Sequence, residues 1–259
     1  MSEFTAPNFS IDLSGQTALV TGATAGLGQR FARVLAACGA NVAITGRRAE
    51  RLETLADEIR SSGGVCEAIV MDMTNREQIR DCVRRAEEKL GLITILVNNA
   101  GIPDAQRAVK LGDELFDRVM DTNLEGPWIL SCEVARRLIN EKQPGRIVNI
   151  ASIAAFNTGP DSAAALYATT KAAVVRMSEA LAVEWARFHI NVNAIAPGAF
   201  SSEMMAGMLE RVGDISAHFP RRRICDPAQM DSTLLFLVSP SSDCVTGTCI
   251  KIDDGQSSR

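Results

Sequence analysis

The 259-residue sequence predicts an α/β fold, a doubly wound parallel sheet of about seven strands with helices on both faces, in a single domain. Three observations lead there. Short, near-continuous runs of Val, Ile, Leu and Ala alternate with amphipathic helical patterns along the whole chain, and strands apolar on both faces belong to parallel sheets covered on both sides. The first strand runs through a glycine-rich turn straight into a helix, in ALVTGATAGLG. No Pro/Gly/Ser linker, charge block or internal repeat divides the chain, so a length that would allow two domains reads as one.

In order, the predicted strands are 17–20 (TALV), 41–45, 65–70, 95–98 (ILVN), 146–150, 191–195 and 249–252 (CIKI). The helical patterns cover 27–38, 49–61, 76–90, 111–139, 164–187 and 228–238. The long 111–139 pattern is expected to bend near Gly126-Pro127, because proline removes a helical donor. Right-handed crossovers then place any ligand at the carboxyl ends of the strands.

Composition narrows the function classes. Hydrophobic residues at 46% can supply a core, and a net charge of −4 argues against a nucleic-acid surface. Seven scattered cysteines without CxxC, and two histidines, give no metal-site spacing and suit reduced thiols in a cytoplasm. MSEFTAPNFS carries an acid and no apolar run, so it reads as neither a signal peptide nor a membrane anchor.

Two patterns carry chemistry. Gly22, Gly26 and Gly28 let the backbone turn tightly and approach a phosphate, and the helix beyond offers free N–H groups and a positive dipole end. The spacing is GxxxGxG rather than the commoner GxGxxG. Tyr167, the single tyrosine, precedes Lys171 by four residues on a predicted helix, so both share one face. Bringing a phenol from its ordinary pKa of about 10 to near 7 takes roughly 4 kcal/mol. A cation about 4 Å away at an effective dielectric near 20 supplies that much. By itself YxxxK also describes a core aromatic beside a solvated lysine.

Taken together, TGATAGLG (21–28), MDMT (71–74), NNAG (98–101), Asn123 in NLEG, Ser152 in NIAS, YATTK and NAIAPG (193–198) resemble the short-chain dehydrogenase/reductase family, in its compact branch with a Rossmann-type fold. The likeness covers about residues 13 to 256. It implies Ser152, Tyr167, Lys171 and Asn123 as catalytic residues. Ser152 would orient a carbonyl, Tyr167 would give it a proton, and Lys171 would lower the phenol's pKa and hold ribose hydroxyls. Asn123 would anchor a water in a proton relay. For the nicotinamide cofactor, the resemblance implies Gly22, Thr24, Ala25, Gly26, Leu27 and Gly28 at the phosphates. Asp72 and Met73 would lie at the adenine, Ala100 and Gly101 along the ribose, and Asn99 would be a further cofactor contact. Asn98 would steady the sheet, Pro197 and Gly198 would frame the nicotinamide, and Ser202 would meet the diphosphate or carboxamide.

Cofactor preference is argued at the end of the second strand, where an acid would favour NAD and an arginine NADP. ITGRRAERL puts Arg47 and Arg48 there. Solvated arginines are the alternative, but cations at a helix start oppose its dipole, a small cost that phosphate binding would explain. Neutral Thr24 and Ala25 point the other way. NADP(H) is favoured over NAD(H).

Two departures from the family pattern stand out. The interval between Ser152 and Tyr167 is long, with a turn expected at Gly159-Pro160-Asp161, and Asp254 stands where glycine is common. Aspartate tolerates the left-handed region, so accommodation is expected there. His189 also replaces a common glycine, with no chemical role apparent.

Residues 199–225 would form a substrate lid, beyond a 1–12 N-terminal extension. Met204, Met205, Met208 and Leu209, flanked by Phe200 and Phe219, would either line a pocket for a hydrophobic ketone or pack the lid on the body. Arg221, Arg222 and Arg223 would be solvated or would meet a carboxylate. Small residues such as Ala163 to Ala165 and Ala172-Ala173, together with the resemblance, suggest a homotetramer. The expected partner is a small carbonyl or alcohol, with no nucleic acid or membrane. The competing functions are an epimerase or dehydratase relative and a non-catalytic dinucleotide-binding regulator. The intact Tyr167 and Lys171 speak against the latter.

Overall fold

The computed structural model describes residues 11–159 and 163–257. Its strands are β1 (Thr17–Thr21), β2 (Asn41–Gly46), β3 (Cys66–Val70), β4 (Ile95–Asn98), β5 (Gly145–Ile150), β6 (Ile190–Pro197) and β7 (Cys249–Ile252). They form one sheet in the order β3-β2-β1-β4-β5-β6-β7, parallel at every pairing. The helices are α1 (Gly26–Ala37), α2 (Ala49–Ser61), α3 (Arg76–Leu90), α4 (Asp113–Met120), α5 (Gly126–Glu141), α6 (Ala165–Trp185), α7 (Glu203–Val212) and α8 (Asp231–Val238).

The period of two along a strand divides the core into two layers. In β1, Ala18 and Val20 face Phe31 and Leu35 of α1 and Leu234 and Leu237 of α8. Leu19 between them faces the opposite layer, with Val83 of α3, Leu130 of α5 and Leu181 of α6. The strand order reverses between β1 and β4, and this opens a cleft at the carboxyl edge of the sheet.

The bend expected near Gly126-Pro127 takes a particular form. A turn of π-helix, Asp121–Glu125, separates α4 from α5. Pro127 has no N–H to give the carbonyl four residues earlier, at Asn123, so the wide turn falls just before the proline. Helix 228–238 likewise divides, into a 3-10 turn, Pro227–Met230, followed by α8.

Asp254 and His189 both adopt left-handed backbone, at φ 54° and 57°, which explains why glycine suits either position. Asp254 also resolves the arginine run. Its carboxylate accepts from Arg223 Nε at 2.7 Å and pairs with Arg221 at 3.0 Å. The turn predicted at Gly159-Pro160-Asp161 falls largely on residues outside those described. No helix among the described residues is long and apolar enough to cross a membrane.

Candidate active site

The glycine turn is held against the end of β4. A Cβ on Gly28 would lie 2.4 Å from Asn99 Nδ2, and one on Gly22 would lie 2.8 Å from Ala100 Cα. Thr21 Oγ1 accepts from the backbone N–H of Asn99 and of Ala100, both at 3.0 Å. The Asn99 amide donates to Thr21 O and Gly22 O, so it braces the turn. Of the expected cofactor contacts here, Asn99 and Ala100 lie against the glycine turn, and Gly101 lies toward Lys171. The open side of Gly101 faces Lys171 Nζ and Asn123 Oδ1, at 3.3 and 3.5 Å from a Cβ built there. Beneath the cleft, buried Asn98 donates to Asn149 Oδ1 at 2.8 Å and to Ser131 Oγ at 2.9 Å.

At the reacting end, Asn123 projects from the π-turn. It accepts from Ile102 N at 2.8 Å and donates to Ile102 O at 2.9 Å and Thr170 Oγ1 at 3.2 Å. Ser152 ends the loop after β5, where its hydroxyl accepts from Ala154 N at 3.1 Å and stands beside the Tyr167 phenol, whose pKa it lowers. Lys171, buried, donates to Ile150 O at 2.7 Å, and its Nζ lies 5.7 Å from the Tyr167 ring centre. All four predicted residues therefore converge.

Their electrostatics differ from the simple pairing expected from YxxxK. Burial pushes the Tyr167 phenol upward, the hydrogen bond from Ser152 pulls it back, and the charge of Asp104 raises it further. Burial also lowers Lys171 to about 8. The expected depression of the phenol by a nearby ammonium does not dominate, because desolvation opposes the charged form of both groups. The lysine's strongest contact is a backbone carbonyl rather than the phenol oxygen.

Asp104 was not visible as a site residue in the sequence. It is 4% exposed, and its Oδ2 accepts from Leu166 N at 3.0 Å and Tyr167 N at 3.3 Å. A loop beyond β4 thus caps α6, whose own N-cap residue, Ala164, supplies no side-chain bond. No local pattern reveals a cap that arrives from 62 residues away.

At the other end of the cleft, Gly46 closes β2 with no side chain, and a Cβ there would meet Thr24 Cγ2 at 2.8 Å. Arg48 folds over the glycine turn, donating to Thr24 Oγ1 from Nη2 at 2.6 Å and Nε at 3.1 Å. Arg47 stands 4.0 Å from Asp72 Oδ2, while Asp72 Oδ1 accepts from Thr74 N and Oγ1 at 3.0 Å. Met73 is a core residue. Arg51, one helical turn after Arg48, joins this corner. The i, i+3 spacing within RRAER was its signal.

Ser202 caps α7, accepting from Met205 N at 3.1 Å, and faces Gly26 across the cleft. Gly198 donates to Ile252 O at 2.9 Å and packs on Gln256 and Asp253, with Pro197 buried beside it. Helix α7 buries no residue fully, and Met204 and Met208 remain 39% and 37% exposed. Packing against the body therefore accounts for only part of its apolar face.

The model of the short-chain dehydrogenase family matches residues 16–212. The chain belongs to the short-chain dehydrogenase family. It is 36% identical to oxidoreductase UcpA of Escherichia coli (strain K12) over 252 residues, 94% of this chain and 95% of that relative. It is 34% identical to 3-oxoacyl-(acyl-carrier-protein) reductase FabG of Rickettsia bellii over 246 residues, covering 95% and 98%. Among solved structures, a short-chain type dehydrogenase/reductase from Mycobacterium marinum superposes with a TM-score of 0.92 at 34% identity, covering 96% of this chain and 98% of that one. A variant of actinorhodin polyketide ketoreductase with NADPH gives 0.88 at 32% identity, covering 93% and 97%. This short-chain dehydrogenase is accordingly an oxidoreductase acting on CH-OH groups.

Proposed function

We propose that this short-chain dehydrogenase is an NADP(H)-linked ketoreductase, interconverting a small hydrophobic ketone, of the 3-oxoacyl type or similar, with its secondary alcohol. The observation that carries the reading is the convergence of Ser152, Tyr167, Lys171 and Asn123 at the carboxyl edge of β4 and β5. The residues present suit the nucleotide. At the glycine turn Gly26 lets the backbone approach Ser202 closely, Gly101 leaves room before Lys171, and the Arg48 corner already holds an anion, the Glu203 carboxylate.

When bound, a nicotinamide cofactor would supply or accept the hydride. Ser152 holds the substrate oxygen against the phenol. Tyr167 gives that oxygen its proton during reduction and takes it back during oxidation. Lys171 passes the proton on toward solvent through a water that Asn123, which also faces the open side of Gly101, would anchor. A lysine near pKa 8 can both hold and release a proton close to neutral pH. The exposed Met204 and Met208 suit a hydrophobic substrate under the 199–225 segment acting as a lid, and the FabG resemblance supports a 3-oxoacyl type. The single sheet and its two core layers support reading the chain as one catalytic domain.

The same proposal includes a homotetramer. A groove of about 490 Å³ between α5 and α6, lined by Leu124, Trp128, Ala173 and Met177, leaves Trp128 46% exposed. Light scattering should give four times 27.8 kDa; a single 27.8 kDa species would overturn the assembly. All seven cysteines are unpaired thiols, consistent with a cytoplasmic setting.

The test is nicotinamide absorbance across ketones, 3-oxoacyl esters, steroids and secondary alcohols, with both cofactors. NADPH oxidation by an oxoacyl ester, faster than with NADH, is the expected result. Silence with every pair would overturn the assignment in favour of a dinucleotide-binding regulator.

A further inference from the structure

Glu203 opens α7, and its carboxylate meets two cations from across the cleft. Arg48 Nη1 donates to it at 2.9 and 3.2 Å, and Arg51 Nη1 donates to Oε1. Both arginines lie more than 150 positions away in sequence, at the corner where β2 passes into α2. This is the corner that, on the reading above, takes the cofactor's 2′-phosphate. Two guanidiniums converging on one carboxylate form a geometry equally suited to phosphate. Helix α7 buries no residue fully, so these ion pairs are polar ties of its first turn to the cleft, beside the close approach of Ser202 to Gly26.

We propose that Glu203 is a specificity-determining residue. Its carboxylate fills the Arg48–Arg51 anion site, and a 2′-phosphate enters only by displacing it. The inference rests on the NADP(H) reading and adds to it a competitor supplied by the chain itself. A phosphate carries more charge than the carboxylate and can take both arginines. A ribose hydroxyl has no charge with which to compete, so NAD(H) leaves the ion pairs in place. The side chains are 42% exposed at Arg48, 51% at Arg51 and 52% at Glu203, so the pairs are weak enough to exchange. Displacement also releases the first turn of α7, which couples cofactor choice to the position of that helix. The hydrogen bond to Arg51, and then that to Arg48, holds the Glu203 carboxyl below its ordinary value, so it competes as an anion throughout the neutral range.

The experiment uses nucleotide fragments that cannot react. Calorimetry would compare 2′,5′-ADP with 5′-ADP on the wild-type chain, Glu203→Gln and Arg48→Ala. Glu203→Gln should tighten 2′,5′-ADP by about fivefold, the scale of two exposed ion pairs, and leave 5′-ADP within about twofold. The gain should shrink in high salt. Equal tightening of both fragments, or none, while Arg48→Ala still weakens 2′,5′-ADP selectively, would overturn the role of Glu203 and leave the NADP(H) reading intact. A wild-type chain that does not distinguish the fragments, with Arg48→Ala changing neither, would overturn that reading and this inference with it.

Discussion

At the corner of β2 and α2, Arg48, Arg51 and Glu203 meet with about half of each side chain in solvent. At the ends of β4 and β5, Asn98 and Asn149 meet at 3% and 0% exposure, and Lys171 lies at 4%. The first region is built from charges that exchange partners at little cost, because water stands ready to replace either one. The second is built from amides, hydroxyls and one ammonium that cannot lose a partner without a desolvation penalty. One end of the cleft can therefore be adjusted by degrees, toward one nucleotide or another, while the other end has a single workable arrangement.

Substitutions should separate the two regimes. The largest effect is expected at Tyr167: Tyr167→Phe should lower kcat by about a thousandfold or more while nucleotide binding stays within about twofold. Retention of full turnover would break the assignment of the buried end. Asn149→Ala should follow. It removes the acceptor for Asn98 and the donor to Ser178 at 2.9 Å, and urea unfolding should show a loss of about 2 kcal/mol. An unchanged midpoint would mean that the network is not the rigid base described.

Asp104 tests how the buried end sets its pKa values. Asp104→Ala should destabilise the protein by about 1–2 kcal/mol through loss of the α6 cap. Asp104→Asn keeps an acceptor for the helix and removes the charge. That charge raises the phenol, so removing it favours the phenolate, and the alkaline rise in the oxidation rate should begin at lower pH. Ser152→Ala has the opposite sign, because the serine hydrogen bond lowers the phenol. A profile unmoved by Asp104→Asn would show that the aspartate acts on the helix alone. The smallest effect belongs to the exposed corner. Arg48→Ala should raise the NADPH KM by about tenfold, change NADH little, and lose much of its effect in high salt. Equal losses for both cofactors would place Arg48 in the architecture of the turn, through Thr24, rather than in phosphate recognition.

Much of this was legible before any coordinates. The boundaries of β4, β7, α2 and α3 coincide with those expected, because each follows from a local pattern, a short apolar run for the strands and an amphipathic period for the helices. Asn75 caps α3 through its own neighbours, Glu77 and Gln78. Where expectation and structure part, the cause is contact at long range. The break in the 111–139 pattern, at 121–125, follows locally from Pro127, but only the fold shows that it brings Asn123 to Ile102. Asp254 and the arginine run look unrelated in sequence, and the structure makes them one ion-pair cluster.

The sequence alone determined the parallel α/β architecture, the glycine turn, the set of Ser152, Tyr167, Lys171 and Asn123, and the basic corner after β2. The architecture, the glycine turn and the basic corner rest on residue type and spacing within one or two neighbouring elements, and the candidate set of four on the family resemblance of short motifs. Only the tertiary structure decided that Lys171 bonds to Ile150 O and that Asp104 caps the helix bearing Tyr167. It alone placed Glu203 on Arg48 and Arg51. Hydrogen bonds and desolvation depend on distance in space, and residues 62 or 155 positions apart become neighbours only when the sheet is assembled.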